Sequence, residues 1–396
     1  MEGQGIVVMG GTGHIGLPLG LLLAQAGFPV TLFDTDRKSL ETIRQGRIPF
    51  QEEGAEPLLR RVLAGGRLAL TDDPACVRGA DTVITVIGTP VDEHLSPTLT
   101  RFLRAMDSIT DHLRDDQLLI LRSTVTPGTS AFLNERFRSS GKRIHVSFCP
   151  ERILEGKALE EIPRLPQIVS GFTPEAVARA RAIFEKLGPE VIVLEPAEAE
   201  LSKLFVNVWR YLKFAIANQF YMIANDAGVD FDPVYRSLGH NYPRGSDLPQ
   251  PGFAAGPCLF KDTMQLAAAS RVGFHLGHVA MQVNEGLPDY VVRRLSAAYP
   301  LGEMTVGILG MAFKAESDDI RESLSYKLRR LLALRAARVL CADPYVPDPG
   351  FVSAETLVAD SDLIIVAAPH RAFASLDLGG KPVADIWNLF GKGRKI

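Results

Sequence analysis

Cys258 sits inside the run Gly252 to Asp262, GFAAGPCLFKD, behind a stretch of small residues and just ahead of Lys261 and Asp262. Small residues let a ligand approach the peptide closely. A thiol placed there can attack a carbonyl, and a nearby lysine and carboxylate can tune its ionisation and handle protons. Far upstream, Gly11-Thr12-Gly13-His14-Ile15-Gly16 fits the pattern GxGxxG. The pattern alone is weak. Here it follows the apolar run Ile6–Met9 and opens the apolar-rich stretch Ile15–Ala26, and Asp34 ends the next apolar run, Val30–Phe33. That context predicts a dinucleotide site. Gly11 makes the tight turn, Gly13 admits the pyrophosphate and Gly16 packs helix on sheet. Asp34 accepts a ribose 2′-hydroxyl and repels a 2′-phosphate, so NAD is expected over NADP. Arg37 and Lys38 leave an opening for NADP, and a glycine-rich turn without ligand is the bland alternative. A nucleophilic thiol in a nucleotide-dependent oxidoreductase suggests an alcohol taken through an aldehyde to an acid.

Other residues could border the same chemistry. Gly88-Thr89-Pro90 and Ser123-Thr124-Val125-Thr126-Pro127-Gly128-Thr129 each follow an apolar run. Ligands of open parallel sheets bind at the carboxyl ends of strands, although turns use Pro and Gly anyway. Cys149-Pro150-Glu151-Arg152 follows a further run, and Glu151 could position water or be a surface loop acid. Glu200, Lys203 and Asn207 share one helical face at i, i+3 and i+7. Such a face reads first as solvated and salt-bridged, and second as a lysine and amide holding an oxyanion.

The remaining cysteines, Cys76, Cys149 and Cys341, are widely spaced, with no CxxC pair, and read as small packing residues. His275 and His278 are three apart with no third ligand beside them, so no metal is expected. A net charge of -3 gives no general electrostatic reason to expect nucleic acid or an anionic membrane as partner. No apolar run reaches the roughly 20 residues that span a bilayer. The opening residues lead straight into a strand, which implies no signal peptide and a cytoplasmic location.

These residues need elements to hold them. Apolar runs at Thr82–Ile87, Leu118–Leu121 and Ile144–Phe148 alternate with helical stretches Leu99–Leu113 and Thr129–Arg138, and Pro166–Ser170 and Val191–Leu194 extend the series. Alternation of this kind predicts a mostly parallel, doubly wound α/β sheet over residues 1–195. Ala197–Ala227 lacks proline and keeps helical spacing, predicting one long helix capped by Gly228. Val234–Leu238, Thr263–Ala269 and Val279–Ala298 complete a helical middle over 196–298. A helix as long as Ala197–Ala227 usually forms a spine or a subunit interface. From Thr305 the α/β pattern returns, with strands Thr305–Leu309, Arg338–Ala342 and Leu363–Ala367 and helix Leu324–Leu334. This smaller unit, 299–396, faintly echoes the first, with Asp343 where the first has Asp34.

At GGTGHIGLPLG, VIGTPVDE, STVTPGT, CPERILEGKAL, ELSKLFVNVWRY, GFAAGPCLFKD and GILGMAFKAESDDIRES the chain resembles the UDP-glucose/GDP-mannose dehydrogenase family over its full length. The resemblance implies two Rossmann-like doubly wound domains joined by a helical, dimerising middle. It also implies oxidation of a sugar C6 alcohol to a carboxylate with two NAD, in polysaccharide biosynthesis. Cys258 then looks like the nucleophile that forms a thiohemiacetal and a thioester. Lys203 and Asn207 look like the alkoxide-stabilising pair, Asp262 like the carboxylate that orders water or acts as base, Thr124 like a water holder, and Glu151 like the assistant to thioester hydrolysis. The cofactor site would comprise Gly11, Thr12, Gly13, His14, Ile15, Gly16, Asp34, Arg37, Thr89, Pro90, Thr124, Glu155 and Arg321, the last in the DDxR element with Asp319. The sugar nucleotide would meet Arg152, Leu154, Lys203, Asn207, Tyr242, Phe253, Gly256, Phe313 and Lys314, with Arg244 reaching a neighbouring subunit's substrate. The wording of CPERILEGKAL, KLFVNVWRY, YPR and GPCLFKD is most similar to the UDP-N-acetylhexosamine branch, particularly the UDP-N-acetyl-D-mannosamine enzymes. Ala254, Ala255 and Pro257 depart from the GFGGSCF of the UDP-glucose branch. UDP-glucose or UDP-N-acetylglucosamine as substrate is the first alternative, and an idle nucleotide-sugar-binding protein is the second. A two-electron β-hydroxyacid-type dehydrogenase would need no cysteine.

Overall fold

The computed structural model describes residues 5–92, 94, 97–188, 190–253 and 256–396. Ala254 and Ala255, singled out above, lie outside the described residues, as do the first four positions and Glu93 of VIGTPVDE. The chain packs as two compact units, Met1–Val206 and Asn207–Ile396.

In chain order the first unit contains β1 (Ile6–Met9), α1 (Gly16–Gln25), β2 (Val30–Phe33), α2 (Arg37–Arg44), α3 (Ala55–Ala64), β3 (Leu68–Thr71), β4 (Thr82–Thr85), α4 (Thr100–Thr110), β5 (Leu118–Leu121), α5 (Thr129–Ser139), β6 (His145–Phe148), α6 (Ala158–Glu161), β7 (Gln167–Gly171), α7 (Pro174–Glu185) and β8 (Val191–Val193). Its sheet has the order β3-β2-β1-β4-β5-β6-β7-β8. Every pairing is parallel except β6 with β7. The central strands β1, β4 and β5 are buried along their whole length, as a sheet covered on both faces requires. That is why β1 and β5 read as unbroken apolar runs, and β4 as Val-Ile between two buried threonines. Several elements left no such run, among them α2, β3 and α7. In α2 only Leu40 and Ile43 are buried and the start is fixed by Asp36, whose side chain accepts from Lys38 N and Ser39 N. The edge strand β3 buries only Leu68. In α7, Thr173 caps a helix whose exposed face is charged.

The long helix α8 (Pro196–Asp226) runs from the first unit into the second. Gly228 has φ +74° and closes it: Gly228 N donates to Asn225 O and Val229 N to Ala224 O, the paired bonds of a Schellman ending. The second unit continues with α9 (Phe231–Gly239), α10 (Leu259–Ala269), α11 (His275–Ala298), β9 (Thr305–Leu309), α12 (Leu324–Ala333), β10 (Arg338–Ala342), α13 (Ala354–Asp360), β11 (Leu363–Val366) and β12 (Val383–Ala384). Its parallel sheet has the order β10-β9-β11-β12. The helices and this sheet share one core, in which Tyr221, Phe231, Leu287 and Val291 pack with Val306, Ile308 and Leu328. Along α8, Phe205, Trp209, Ile216, Phe220 and Ile223 are instead exposed, each by 42% or more. Among the described residues no helix is long and apolar enough to cross a membrane.

Candidate active site

The turn between β1 and α1 has the shape of a phosphate cradle. The left-handed residue is Gly10, at φ +82°, and not Gly11 as the motif suggests. Gly11 is needed for space, because a Cβ there would collide with Leu32 and the Val8 carbonyl. At Gly16 a Cβ would run into the Gly10 carbonyl, so this glycine sets the helix against the strand. Gly13 is different: among the described residues, a Cβ there would meet only Gly10 O within 4 Å, at 3.7 Å. The space over Gly13 is open to a ligand. Ile15 occupies the N-cap of α1 and supplies no side-chain cap, and the first turn carries no acid. The N–H groups and positive dipole end there suit a pyrophosphate.

Asp34 lies at the end of β2 beside this turn. Its Oδ2 accepts from Thr12 N at 3.0 Å and Thr12 Oγ1 at 2.7 Å, and its Oδ1 accepts from Asp36 N at 3.1 Å. The carboxylate is thus aimed at the phosphate turn and half-exposed. Arg37 pairs with Asp72 at 2.6 Å and points to solvent, its side chain 86% exposed. Its Nε is thus engaged by an acid, in an exposed pair. His14 pairs with Glu155 at 3.0 Å and stacks on Phe50 with centroids 4.1 Å apart, joining two expected cofactor residues 141 positions apart in the chain.

The loops after β4 and β5 also meet. Thr89 Oγ1 donates to the Thr124 carbonyl in a short hydrogen bond. Pro90 O accepts from Thr98 N at 3.2 Å. After β6, Glu151 is buried. Its Oε2 accepts from Arg122 Nε at 3.0 Å and from Arg122 Nη2 in a short ion pair, and its Oε1 accepts from Arg152 N at 2.7 Å and Ile153 N at 3.1 Å. The surface-acid reading is therefore overturned: the carboxylate fastens the turn after β6 to the buried Arg122. That guanidinium also donates to Cys149 O and Gln167 Oε1 and lies 4.7 Å from the centroid of the Phe184 ring. Arg152 donates to Pro166 O, and Leu154 N donates to Glu161 Oε2 at 2.6 Å.

The expected solvated face of α8 is also overturned. Glu200, Lys203 and Asn207 are 2%, 9% and 4% exposed. Glu200 plugs the N-terminus of α5, accepting from Gly128 N at 2.6 Å and Ser130 N at 2.9 Å. One helix end in this unit is thus neutralised by the protein's own carboxylate, while that of α1 is left for a ligand.

In the second unit Cys258 is the residue before α10 and is exposed. Its carbonyl accepts from Asp262 N at 2.9 Å. Asp262 is 1% exposed. Its Oδ2 accepts from Asn207 Nδ2 at 2.5 Å and its Oδ1 pairs with Lys261 Nζ at 2.7 Å. A buried carboxylate flanked by an amide and an ammonium thus lies one helical turn from the thiol. The other thiols are unsuited to nucleophilic work. Burial pushes Cys76 and Cys341 up to about 11, and burial also raises Cys149.

The small residues before Cys258 have a use the sequence reading did not assign. A Cβ at Gly252 would enter the Trp387 ring, and one at Gly256, where φ is +100°, would enter the Phe313 ring. These glycines admit aromatic side chains of the protein itself. Phe253 between them is buried, 3% exposed. Phe313 carries Lys314 Nζ 5.6 Å from its ring centroid, and Phe313 N donates to Asp319 O at 2.9 Å. Arg321 folds onto Asp319, with Nε at 2.9 Å and Nη2 at 2.6 Å. Tyr242 and Arg244 are exposed, the guanidinium 5.8 Å from the ring. His275 and His278 are exposed too, and His278 Nδ1 lies 3.1 Å from Phe274 O.

Four residues here were missed in the sequence. Arg122 was legible as a charge directly after the apolar run LLIL. Asn218 and Asn284 are fully buried amides within helices, and His370 is a fully buried imidazole. Nothing in the residues around these last three marks them.

A dinucleotide cradle on one doubly wound sheet, followed by a helical segment and a second parallel sheet behind a cysteine loop, defines a nucleotide-sugar dehydrogenase layout. The profiles of the UDP-glucose/GDP-mannose dehydrogenase family match three consecutive stretches: the NAD binding domain at residues 4–188, the central domain at 197–286 and the UDP binding domain at 307–392. The chain belongs to this family and is an NAD-dependent nucleotide-sugar dehydrogenase. It is 30% identical over 384 residues to the UDP-N-acetyl-D-mannosamine dehydrogenase of Methanocaldococcus jannaschii, covering 95% of this chain and 88% of that one. To the NDP-N-acetyl-D-galactosaminuronic acid dehydrogenase of Ralstonia solanacearum it is 30% identical over 391 residues, covering 93% and 91%. The solved UDP-D-ManNAc dehydrogenase of Pyrococcus horikoshii superposes with a TM-score of 0.90 at 26% identity, covering 97% of this chain and 96% of that one.

Proposed function

We propose that the protein oxidises the C6 hydroxyl of UDP-N-acetylmannosamine to the uronic acid, with two NAD consumed per sugar. The observation that carries the reading is one exposed thiol, Cys258, set at the start of α10 one turn from the buried Asp262, while the three other thiols are pushed up by burial. NAD, which Gly11–Gly16, Asp34, Thr89 and Thr124 would hold, would supply the hydride acceptor. In the first half, Asp262, directly or through a water, takes the C6 hydroxyl proton, while Lys203 and Asn207 hold the developing oxyanion. Loss of hydride leaves the aldehyde. The Cys258 sulfur then adds to its carbonyl carbon, forming a C–S bond and a thiohemiacetal. Loss of a second hydride gives the thioester. Water held near Thr124 and Glu151 attacks the acyl carbon, the C–S bond breaks, and the carboxylate leaves with the thiol restored. The sum is one alcohol, two NAD and one water in, and one carboxylate, two NADH and three protons out. Names of relatives support an N-acetylated sugar but divide between manno and galacto forms. A panel of UDP-sugars with NADH counted per sugar consumed tests both points. Two NADH per sugar without free aldehyde, and the highest kcat/KM with UDP-N-acetylmannosamine, are expected. One NADH with released aldehyde overturns the four-electron path, and preference for UDP-glucose overturns the sugar.

The same reading includes a homodimer. Phe205, Trp209, Ile216, Phe220 and Ile223 make an exposed apolar stripe along α8, of the kind that marks an interface. Arg244, exposed at the loop after α9, would cross to the partner's sugar nucleotide, where its planar fork suits phosphate or sugar oxygens. Mixed dimers of Arg244→Ala and Cys258→Ser subunits should regain activity, since one site per dimer is then intact. Heterodimers that form and stay inactive would return Arg244 to its own subunit.

A further inference from the structure

The cysteine loop is anchored from below by a pair of amides. Asn218 on α8 and Asn284 on α11 are both 0% exposed. Asn218 Nδ2 donates to Asn284 Oδ1 at 2.9 Å, and Asn284 Nδ2 donates to Tyr211 O at 3.2 Å. That arrangement leaves Asn218 Oδ1 facing the loop, where it accepts from Gly252 N at 2.8 Å. Buried amides of this kind are expensive unless satisfied, and these two are satisfied in only one orientation. Flipping Asn218 would point its amino group at the Gly252 N–H and its carbonyl at Asn284. The Trp387 ring closes on Gly252 from the other side, itself fixed by Nε1 donating to Ala367 O at 3.0 Å. At the far end of the loop Gly256 sits against Phe313, and Gly256 N donates to Glu322 O at 3.4 Å. Gly252 is six residues before the thiol and Gly256 is two before it.

We propose that Asn218, oriented by Asn284, is a positioning residue that sets the Cys258 sulfur at attacking distance from the substrate carbonyl. The proposal rests on the reading of Cys258 as nucleophile. Capture of an aldehyde needs a near-attack geometry, and a misplacement of about 1 Å can cost on the order of 100-fold in rate. The cofactor residues Gly11–Gly16, Asp34, Thr89 and Thr124 lie outside this loop, so NAD binding does not depend on it to that degree.

The test compares Asn218→Ala, the conservative Asn218→Asp, which keeps an acceptor for Gly252 N, and Gly252→Ala, which pushes the loop off Trp387 and leaves both amides in place. NADH per sugar, kcat, KM for NAD and the rate of Cys258 carbamidomethylation by iodoacetamide are read on the 396-residue chain, with Cys258→Ser as the blank. Asn218→Ala and Gly252→Ala are expected to lower kcat roughly 10- to 100-fold. They should leave KM for NAD within about twofold and release aldehyde. Asn218→Asp, with its buried carboxyl protonated and so still donating to Asn284 Oδ1, is expected to recover part of kcat. If Asn218→Ala and Gly252→Ala both keep kcat and release no aldehyde while Cys258→Ser is inactive, the positioning role is overturned and the nucleophile stands. If Cys258→Ser itself makes acid at the normal rate, the nucleophile reading fails first. If Asn218→Ala does not fold, Gly252→Ala decides alone: normal kcat overturns the proposal and the kcat loss with released aldehyde supports it.

Discussion

The two sheets carry the same device with opposite outcomes. Each has a left-handed glycine directly after its first strand, Gly10 at φ +82° and Gly310 at φ +93°. Each has an aspartate directly after the neighbouring strand, Asp34 beyond β2 and Asp343 beyond β10, accepting from backbone N–H groups of the glycine turn. In the first unit a helix begins at Gly16, six residues after Gly10, with no side-chain cap. In the second, α12 begins only at Leu324 and is capped by Ser323, and the loop between carries Phe313, Lys314 and Arg321. Asp34 is half-exposed with two local partners. The Asp343 side chain is fully buried, accepting from Met311 N, Ala312 N, Tyr345 N and Val346 N and from His370 Nε2 at 3.1 Å. His370 Nδ1 in turn accepts from Glu316 N at 3.0 Å, which fixes the proton on Nε2. The same position at the end of a strand is half-exposed beside the phosphate turn in one sheet, where we propose that it reads the cofactor's ribose, and is a buried brace in the other. The loop that follows the glycine turn decides which.

The larger effect should come from the brace. Burial alone would raise the Asp343 carboxyl, but the hydrogen bond from His370 Nε2 and the Tyr345 and Ala312 N–H groups outweigh it and hold it at about 2. Because the folded value lies below the ordinary one, its stabilisation is complete above the ordinary carboxylate range and is lost as pH falls through about 2. The contribution is about 2 kcal/mol. Asp343→Asn should lower stability by at least that amount at pH 7 and flatten the acid limb between pH ~4 and ~2, read by denaturant midpoints across pH. An unchanged acid limb would break the contrast. The Kd for NAD should not move in this variant.

The smaller effect should come from the reader. Asp34→Ala should cost little stability and should erode the preference for NAD over NADP by about tenfold, or roughly 1.4 kcal/mol, measured as the ratio of kcat/KM values. An unmutated protein equally efficient with both cofactors would remove Asp34 from the ribose. If Asp343→Asn also changed the cofactor ratio, the two carboxylates would not have separate tasks.

Much of this was legible in the chain because it depends on local pattern. Strands that are largely buried show as apolar runs, so β2, β5, β9 and β10 fall on the expected residues, and the long helix differs by one residue at each end. Elements with one polar face and few buried residues, such as α2 and the edge strand β3, gave no such signal. The GxGxxG turn and Asp34 were legible for the same reason, since their geometry is written in adjacent residues. The position of the left-handed turn one residue earlier, at Gly10, was not. It depends on how the strand and helix meet.

By itself the sequence determined that the chain alternates strand and helix twice around a long helix, that a phosphate turn opens it, and that a cysteine with a lysine and an acid behind it stands in the second half. Each of these is a property of neighbours in the chain. Tertiary structure alone decided that the Glu200, Lys203 and Asn207 face is buried, that Glu151 is clamped by Arg122, that Gly252 and Gly256 make room for Trp387 and Phe313, and that Asn218 and Asn284 hold the loop. Those outcomes turn on which distant group fills a buried donor or acceptor. A side chain's type does not reveal its partner, and the cost of burying a polar group without one is paid or avoided only when the whole core has closed.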